Sequence, residues 1–246
     1  MTMRTIVITG ASSGIGRASA LRLLDAGWSV TLIARRQAEL ERIAPGNSRA
    51  LAIACDVTDA DAVEAAFAAT REHFGRIDAL FNNAGVFAPA APIDEVPLDD
   101  WYQSVAVNLN GMFLCARAAF AHMRSQYPQG GRIINNGSIS AHAPRPGSVC
   151  YTTTKHAITG LTKTLALDGR PFNIACGQLD IGNARTELLE GHVARVRAAD
   201  PNAEVPPMID VGLVADAVLR MAELPLEANV LFQTLMATTM PYVGRG

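Results

Sequence analysis

The stretch RTIVITGASSGIG, residues 4–16, decides the fold. Arg4 to Thr9 reads as a short buried strand, and it runs straight into a glycine-rich turn that opens a helical pattern, Ala18 to Ala26, closed by Gly27. A strand, a glycine turn and a helix N-terminus in that order form an anion site. The first N–H groups of the helix have no partners within it, and the helix dipole favours negative charge. Gly10 permits the tight turn, Gly14 lets the backbone approach a pyrophosphate, and Gly16 allows close packing of helix on sheet. The expected phosphate cradle is therefore Gly10, Ser12, Ser13, Gly14, Ile15 and Gly16. A glycine turn without a ligand is the alternative, against which stand the flanking strand and amphipathic helix.

Beyond the turn, β-rich runs alternate with helical patterns: Arg4–Thr9, Ser29–Ala34, Ala50–Cys55, Asp78–Asn82, Arg132–Asn136, Asn173–Gly177 and Asn229–Leu235. The alternation predicts an α/β fold, a Rossmann-like doubly wound parallel sheet with helices on both faces. Right-handed crossovers then bring the strand ends carrying Gly10, Asp56, Asn82 and Ser138 to one edge. The chain has 246 residues, 49% hydrophobic and 18% charged, enough to bury a large core in one domain, expected to span 1–246. The least regular stretch, 182–207, is expected to be a flexible loop over the substrate.

Chemistry enters at CYTTTKHAITGLTK, residues 150–163, where Tyr151 and Lys155 are four apart. At helical spacing they share a face, so an ammonium can sit beside a phenol. A free Tyr titrates near ~10, and a nearby cation favours the phenolate and lowers that value. Ser138, thirteen residues upstream, could hydrogen-bond the same substrate oxygen from the other side. An exposed Tyr and Lys on an ordinary helix is the bland alternative.

The end of the second strand bears on which nucleotide is bound. An acid there would take the ribose 2′-hydroxyl of NAD and repel the 2′-phosphate of NADP, but the sequence reads Leu32-Ile33-Ala34-Arg35-Arg36. Guanidinium suits a phosphate because it binds in a forked, charge-assisted way. NADP(H) is thus expected over NAD(H), with Arg35 the main ligand; Arg36 either assists or only begins a solvated helix.

Taken together, these motifs resemble the short-chain dehydrogenase/reductase family, in its branch of roughly 250-residue enzymes. They occur in order: TGASSGIG at Thr9–Gly16, Asp56 after the third strand, NNAG at Asn82–Gly85, Asn108 in the long middle helix, then Ser138, Tyr151 and Lys155. The resemblance implies that Asp56 and Val57 address the adenine, although Asp56 could equally cap the next helix. It also implies that Asn82, Ala84 and Gly85 line the cofactor cleft, and that Ile181, Gly182 and Thr186, standing where the family has a Pro-Gly turn, meet the nicotinamide amide. Tyr151 is implied as general acid/base and Lys155 as its tuning cation and a ribose ligand. Asn108 is implied as holder of a proton-relaying water; a buried Asn satisfying backbone in a bent helix is its alternative. Members pair through two long helices, here Leu98–Arg124 and Tyr151–Asp168, so a homodimer or homotetramer is expected. The C-terminal tail is similar to a branch that includes hydroxy-acid dehydrogenases, where Arg185 or Arg145 would hold an acidic substrate.

A formal charge of −2 gives no electrostatic footprint for nucleic acid or an anionic membrane. No signal-peptide core or membrane span is read, so a cytoplasmic location is expected. Cys55, Cys115, Cys150 and Cys176 are scattered in apolar segments and read as reduced packing residues, although Cys150 could face the substrate. The five histidines lack metal-ligand spacing, and no metal is expected; His142 either touches substrate or is a solvated loop residue. The expected activity is hydride transfer between NADP(H) and a small or medium alcohol/carbonyl pair. A non-catalytic NADP-binding sensor is the alternative, and it would be expected to lack part of the Asn108, Ser138, Tyr151 and Lys155 set. An epimerase or dehydratase of the longer relatives would need different glycine spacing.

Overall fold

The computed structural model describes residues 4–187, 189–190, 193, 197–198 and 205–243. Its elements run β1 (Thr5–Thr9), α1 (Gly14–Asp25), β2 (Ser29–Ala34), α2 (Gln37–Glu41), β3 (Ala50–Ala54), α3 (Ala60–Phe74) and β4 (Ala79–Asn82). Then come α4 (Leu98–Val105), one π-helical turn (Ala106–Gly111), α5 (Met112–Ser125), β5 (Gly131–Asn136), α6 (Val149–Asp168), β6 (Ile174–Ile181), α7 (Val211–Glu223) and β7 (Phe232–Leu235). Among the described residues the strands form one all-parallel sheet in the order β3-β2-β1-β4-β5-β6-β7. The order reverses between β1 and β4, which opens a crevice at their C-terminal ends.

Strand alternation divides the core into two layers. Ile6 and Ile8 of β1 join Leu23 of α1 and Val214 and Val218 of α7 on one face. Val7 joins Val63 and Phe67 of α3 and Cys115 and Met123 of α5 on the other. The sheet is thus covered on both sides, as a parallel sheet of near-continuous apolar strands requires. All four cysteines are free and buried. Burial pushes the Cys55 thiol up to about 11 and that of Cys176 to about 12.

Two features depart from the sequence reading. The sixth strand runs four residues past Gly177, to Ile181, because Gln178 stays in register with β5 and β7, and Asp180 with β7, while both are buried. The composite helix Leu98–Ser125 is long and apolar enough to cross a membrane by length and composition, with mean hydropathy 1.2, although no such segment was expected. That helix packs on α3, α6, β4 and β5, and one side of it, with Met112, Cys115, Ala119 and Met123, serves the interior of this fold. Of the expected loop at 182–207, Ala184 bridges Ile209, and 188, 191–192, 194–196 and 199–204 lie outside the described residues.

Arg132, at the start of β5, is 1% exposed and donates to the carbonyls of Leu224, Pro225 and Ala228 and to Asn229 Oδ1. It thereby closes the chain that leaves α7. Burial lowers its pKa from the usual guanidinium value. Arg132→Met should cost about 3 kcal/mol, since four acceptors lose one charged donor. The check is a lower urea midpoint at unchanged slope.

Candidate active site

The glycine turn after β1 has the shape a pyrophosphate needs. Gly10 and Gly14 have φ of 64° and 52°. A Cβ on Gly10 would lie 2.9 Å from Ala84 Cα, and one on Gly16 only 2.3 Å from the Gly10 carbonyl oxygen. Side chains are therefore excluded where the helix meets the strand. Ser13 is the N-cap of α1 but makes no side-chain cap, so the first-turn amides stay available to an anion. Ser12 and Ile15 are half-buried beside it. Across the cleft, the Thr186 methyl lies 3.3 Å from where a Gly14 Cβ would stand. This cradle fits a dinucleotide.

Hydrogen bonds connect the cradle to the catalytic helix. Thr9 Oγ1 accepts from the N–H groups of Asn83 and Ala84, both at 2.9 Å. Asn83 Nδ2 donates to the Thr9 carbonyl, and Asn83 Oδ1 accepts from Asn136 Nδ2 at 2.8 Å. The Asn136 carbonyl in turn accepts from Lys155 Nζ at 2.6 Å. Asn83 and Asn136 were not singled out from sequence, where nothing distinguishes Asn82 from Asn83 except strand alternation. The structure turns Asn82 inward: it is 1% exposed and donates to the Met112 carbonyl and to Asn135. It holds the middle helix to the sheet.

Among the other expected cofactor residues, Arg35 and Arg36 are exposed at the end of β2, with Arg36 the N-cap residue of α2. Asp56 accepts from the Thr58 N–H and hydroxyl, which, with the Arg35 charge, hold its carboxyl below the usual range. The cap of α3 is Asp59, which accepts from Asp61 and Ala62, so Asp56 is not the capping acid. Val57 is buried where a Gly111 Cβ would be, 2.8 Å from its Cγ2, so its side chain serves packing. Ile181 likewise sits in the core, while Gly182 donates to the Leu235 carbonyl. Gly85 faces Asn108, whose Oδ1 would lie 3.3 Å from its Cβ.

Tyr151 and Lys155 lie on the first turns of α6 as the spacing predicts, with Lys155 Nζ 5.5 Å from the phenol ring centroid. Lys155 is 3% exposed. Ser138 stands near enough to the Tyr151 phenol to favour its ionised form, bringing three of the expected residues together. Phe87, itself exposed, stacks on the Tyr151 ring with centroids 4.4 Å apart. The expected lowering of the phenol pKa by Lys155 is corrected by this geometry. Burial pushes Tyr151 up to about 12, opposed by the Ser138 hydroxyl and the Arg145 charge and reinforced by Asp180. Burial also brings Lys155 down to about 8, against the pull of Asp180. Loss of solvation disfavours the charged form of Lys155, so the ammonium is less securely held than the spacing implied.

Asn108 sits inside the π-helical turn, fully buried. Its Oδ1 accepts from Val86 N–H at 2.7 Å, and its Nδ2 donates to the Val86 carbonyl and Thr154 Oγ1. The side chain is thus occupied in holding the loop after β4, in line with the structural alternative. Thr154, whose hydroxyl also donates to the Cys150 carbonyl, is the link between α6 and that turn. Asp180, for which no role was expected, also reaches the site: it is 1% exposed, and its Oδ2 pairs with Nε2 of the loop residue His142 at 2.8 Å.

The family model described as short chain dehydrogenase matches residues 4–196. The chain belongs to the short-chain dehydrogenases. Similar relatives of this short-chain dehydrogenase include the 3beta-hydroxysteroid dehydrogenase of Mediterraneibacter gnavus, 33% identical over 79% of this chain and 71% of the relative. The 2-(R)-hydroxypropyl-CoM dehydrogenase of Xanthobacter autotrophicus is 34% identical over 89% of this chain and 91% of its own. A solved 3-ketoacyl-(acyl-carrier-protein) reductase from Brucella melitensis, complexed with NADH, superposes with a TM-score of 0.84 at 28% identity, covering 94% of this chain and 96% of that one. This short-chain dehydrogenase is accordingly an oxidoreductase of a family that uses a nicotinamide dinucleotide.

Proposed function

We propose that residues 1–246 form one catalytic unit that interconverts a small or medium carbonyl and its alcohol with NADP(H) in preference to NAD(H). The observation that carries the reading is the convergence of Ser138, Tyr151 and Lys155 beside the glycine cradle. The cradle, Arg35, Asp56, the Ala84–Gly85 backbone and Thr186 would hold the dinucleotide. When bound, it supplies or accepts the hydride. Tyr151 then gives its proton to the oxygen that becomes negative, and Ser138 orients that oxygen and stabilises its charge. Lys155 carries positive charge beneath it and would meet the ribose. A phenol held protonated suits the reductive direction.

NADP(H) is supported by the absence of a carboxylate at the end of β2 and by two exposed guanidiniums there. Arg145, whose charge reaches Tyr151, supports a substrate carrying an acidic group more directly than Arg185 does. Exposed Leu98, Tyr102, Phe113 and Leu167 on the long helices support self-association as a dimer or tetramer. Four free thiols fit the reducing cytoplasm.

The test is a panel of ketones, aldehydes and hydroxy acids followed at the nicotinamide absorbance with NADPH and NADH side by side. Arg35→Ser should raise the KM for NADPH about 10-fold or more, the worth of a charged hydrogen bond, and leave that for NADH unchanged. Faster turnover with NADH in the unaltered protein would overturn the cofactor assignment.

A further inference from the structure

Gln178 and Asp180 lie two apart on β6 and so face the same way. Both are buried, 0% and 1% exposed. A carboxylate in that position is tolerable only if its oxygens are fully engaged. Asp180 Oδ1 accepts from the Ser138 backbone N–H at 3.0 Å and from Gln178 Nε2 at 2.7 Å, and Oδ2 meets His142 Nε2 at 2.8 Å. Room for it exists because residue 137 is glycine: a Cβ there would stand 2.1 Å from Oδ1. Behind it, Gln178 Oε1 accepts from Thr162, and Thr162 Oγ1 accepts from Asn135 Nδ2, so the carboxylate's support is itself fixed.

We infer that Asp180 is a positioning residue of the catalytic site: its carboxylate clamps the backbone of Ser138 and, through His142, the loop that follows, so that the Ser138 hydroxyl is held against Tyr151. This rests on the function proposed above. The groups facing Asp180 are Ser138 and His142 from the loop after β5, Arg145 from the loop entering α6, Tyr151 and Lys155 from α6, and Gln178 from its own strand. An ionised carboxylate only accepts, so it fixes His142 as the Nε2–H tautomer and leaves Nδ1 as a free acceptor. Its negative charge also favours the protonated forms of both Tyr151 and Lys155.

Asp180→Ala and Asp180→Asn separate position from charge. Asn keeps an oxygen for Ser138 and Gln178 and turns a donor toward His142. With Asp180→Ala, kcat should fall about 10²-fold, the cost of a misplaced catalytic group, with the KM for NADPH within about twofold. Asp180→Asn should recover most of kcat, while the alkaline limb of its kcat/KM profile moves to lower pH. Nitrogen NMR of the imidazoles at about pH 8 needs no turnover, and His142→Gln identifies the resonance. His142 should be Nε2–H in the unaltered protein and Nδ1–H in Asp180→Asn. Unchanged kcat and pH profile in both variants would overturn the inference while leaving the proposed function intact. An unaltered protein without turnover would remove the proposed function, and the NMR comparison then decides this one: the same tautomer in both proteins overturns it. Should Asp180→Ala not fold, the Asp180→Asn comparison alone decides in the same way.

Discussion

Tyr151→Phe should lose about 10³-fold in kcat, within the range supplied by a positioned acid/base, and still bind NADPH. The change is narrow. Phe keeps the ring that stacks on Phe87 at 4.4 Å, so packing is retained and only the hydroxyl beside Ser138 is removed. In the reductive direction the phenol must arrive protonated, and burial holds it so, with a pKa of about 12. The oxidative direction needs the phenolate, so alcohol oxidation should accelerate with rising pH while carbonyl reduction does not. Stopped-flow binding of NADPH beside steady-state turnover separates the two effects. Retained turnover in the variant would remove Tyr151 as the acid.

Lys155→Met is expected to abolish turnover and to erase a pH dependence of stability. Burial holds the Lys155 pKa near 8 in the folded protein, against 10.5 for an ordinary lysine. Below pH 8 both states are protonated and nothing changes. Between about 8 and 10.5 the unfolded chain binds a proton that the folded one has released, so this group's contribution to stability rises with pH. At about 1.4 kcal/mol per unit, the rise is on the order of 3 kcal/mol, reduced by whatever relaxation the site allows. It must be read as a difference between the two proteins. The buried thiols of Cys55 and Cys176 have raised folded pKa values and act the other way in both proteins, as does the Tyr151 phenol above about 10. Urea midpoints at pH 7.5 and 10 for both proteins provide the check. Parallel curves would show that the ammonium is solvated in the folded state.

Much of the framework was legible because its signals are local. Ile6–Ile8 at the centre of β1 is apolar throughout, and Gly10, Gly14 and Gly16 occupy places where a Cβ collides or φ is positive. Tyr151 and Lys155 declare themselves by helical spacing, which fixes neighbours. Spacing says nothing of burial, however, and burial decided both of their pKa values. Gln178 and Asp180 looked like the end of a strand because polar residues ordinarily mark one. They continue β6 because Thr162, Ser138 and His142 satisfy them from 16 to 42 residues away. Asn83 and Asn136 were hidden for the same reason, being 53 residues apart yet bonded. Arg132, charged within an apolar run, found its partners more than 90 residues later.

The same long reach has a kinetic consequence. Thr9 meets Asn83 across 74 residues, and Ser138 meets Asp180 across 42, so the site exists only once β1, β4, β5 and β6 are mutually paired. Contacts that close large loops form slowly during refolding. Recovered turnover after dilution from denaturant would therefore time the last stage of sheet assembly, well behind the return of helical circular dichroism.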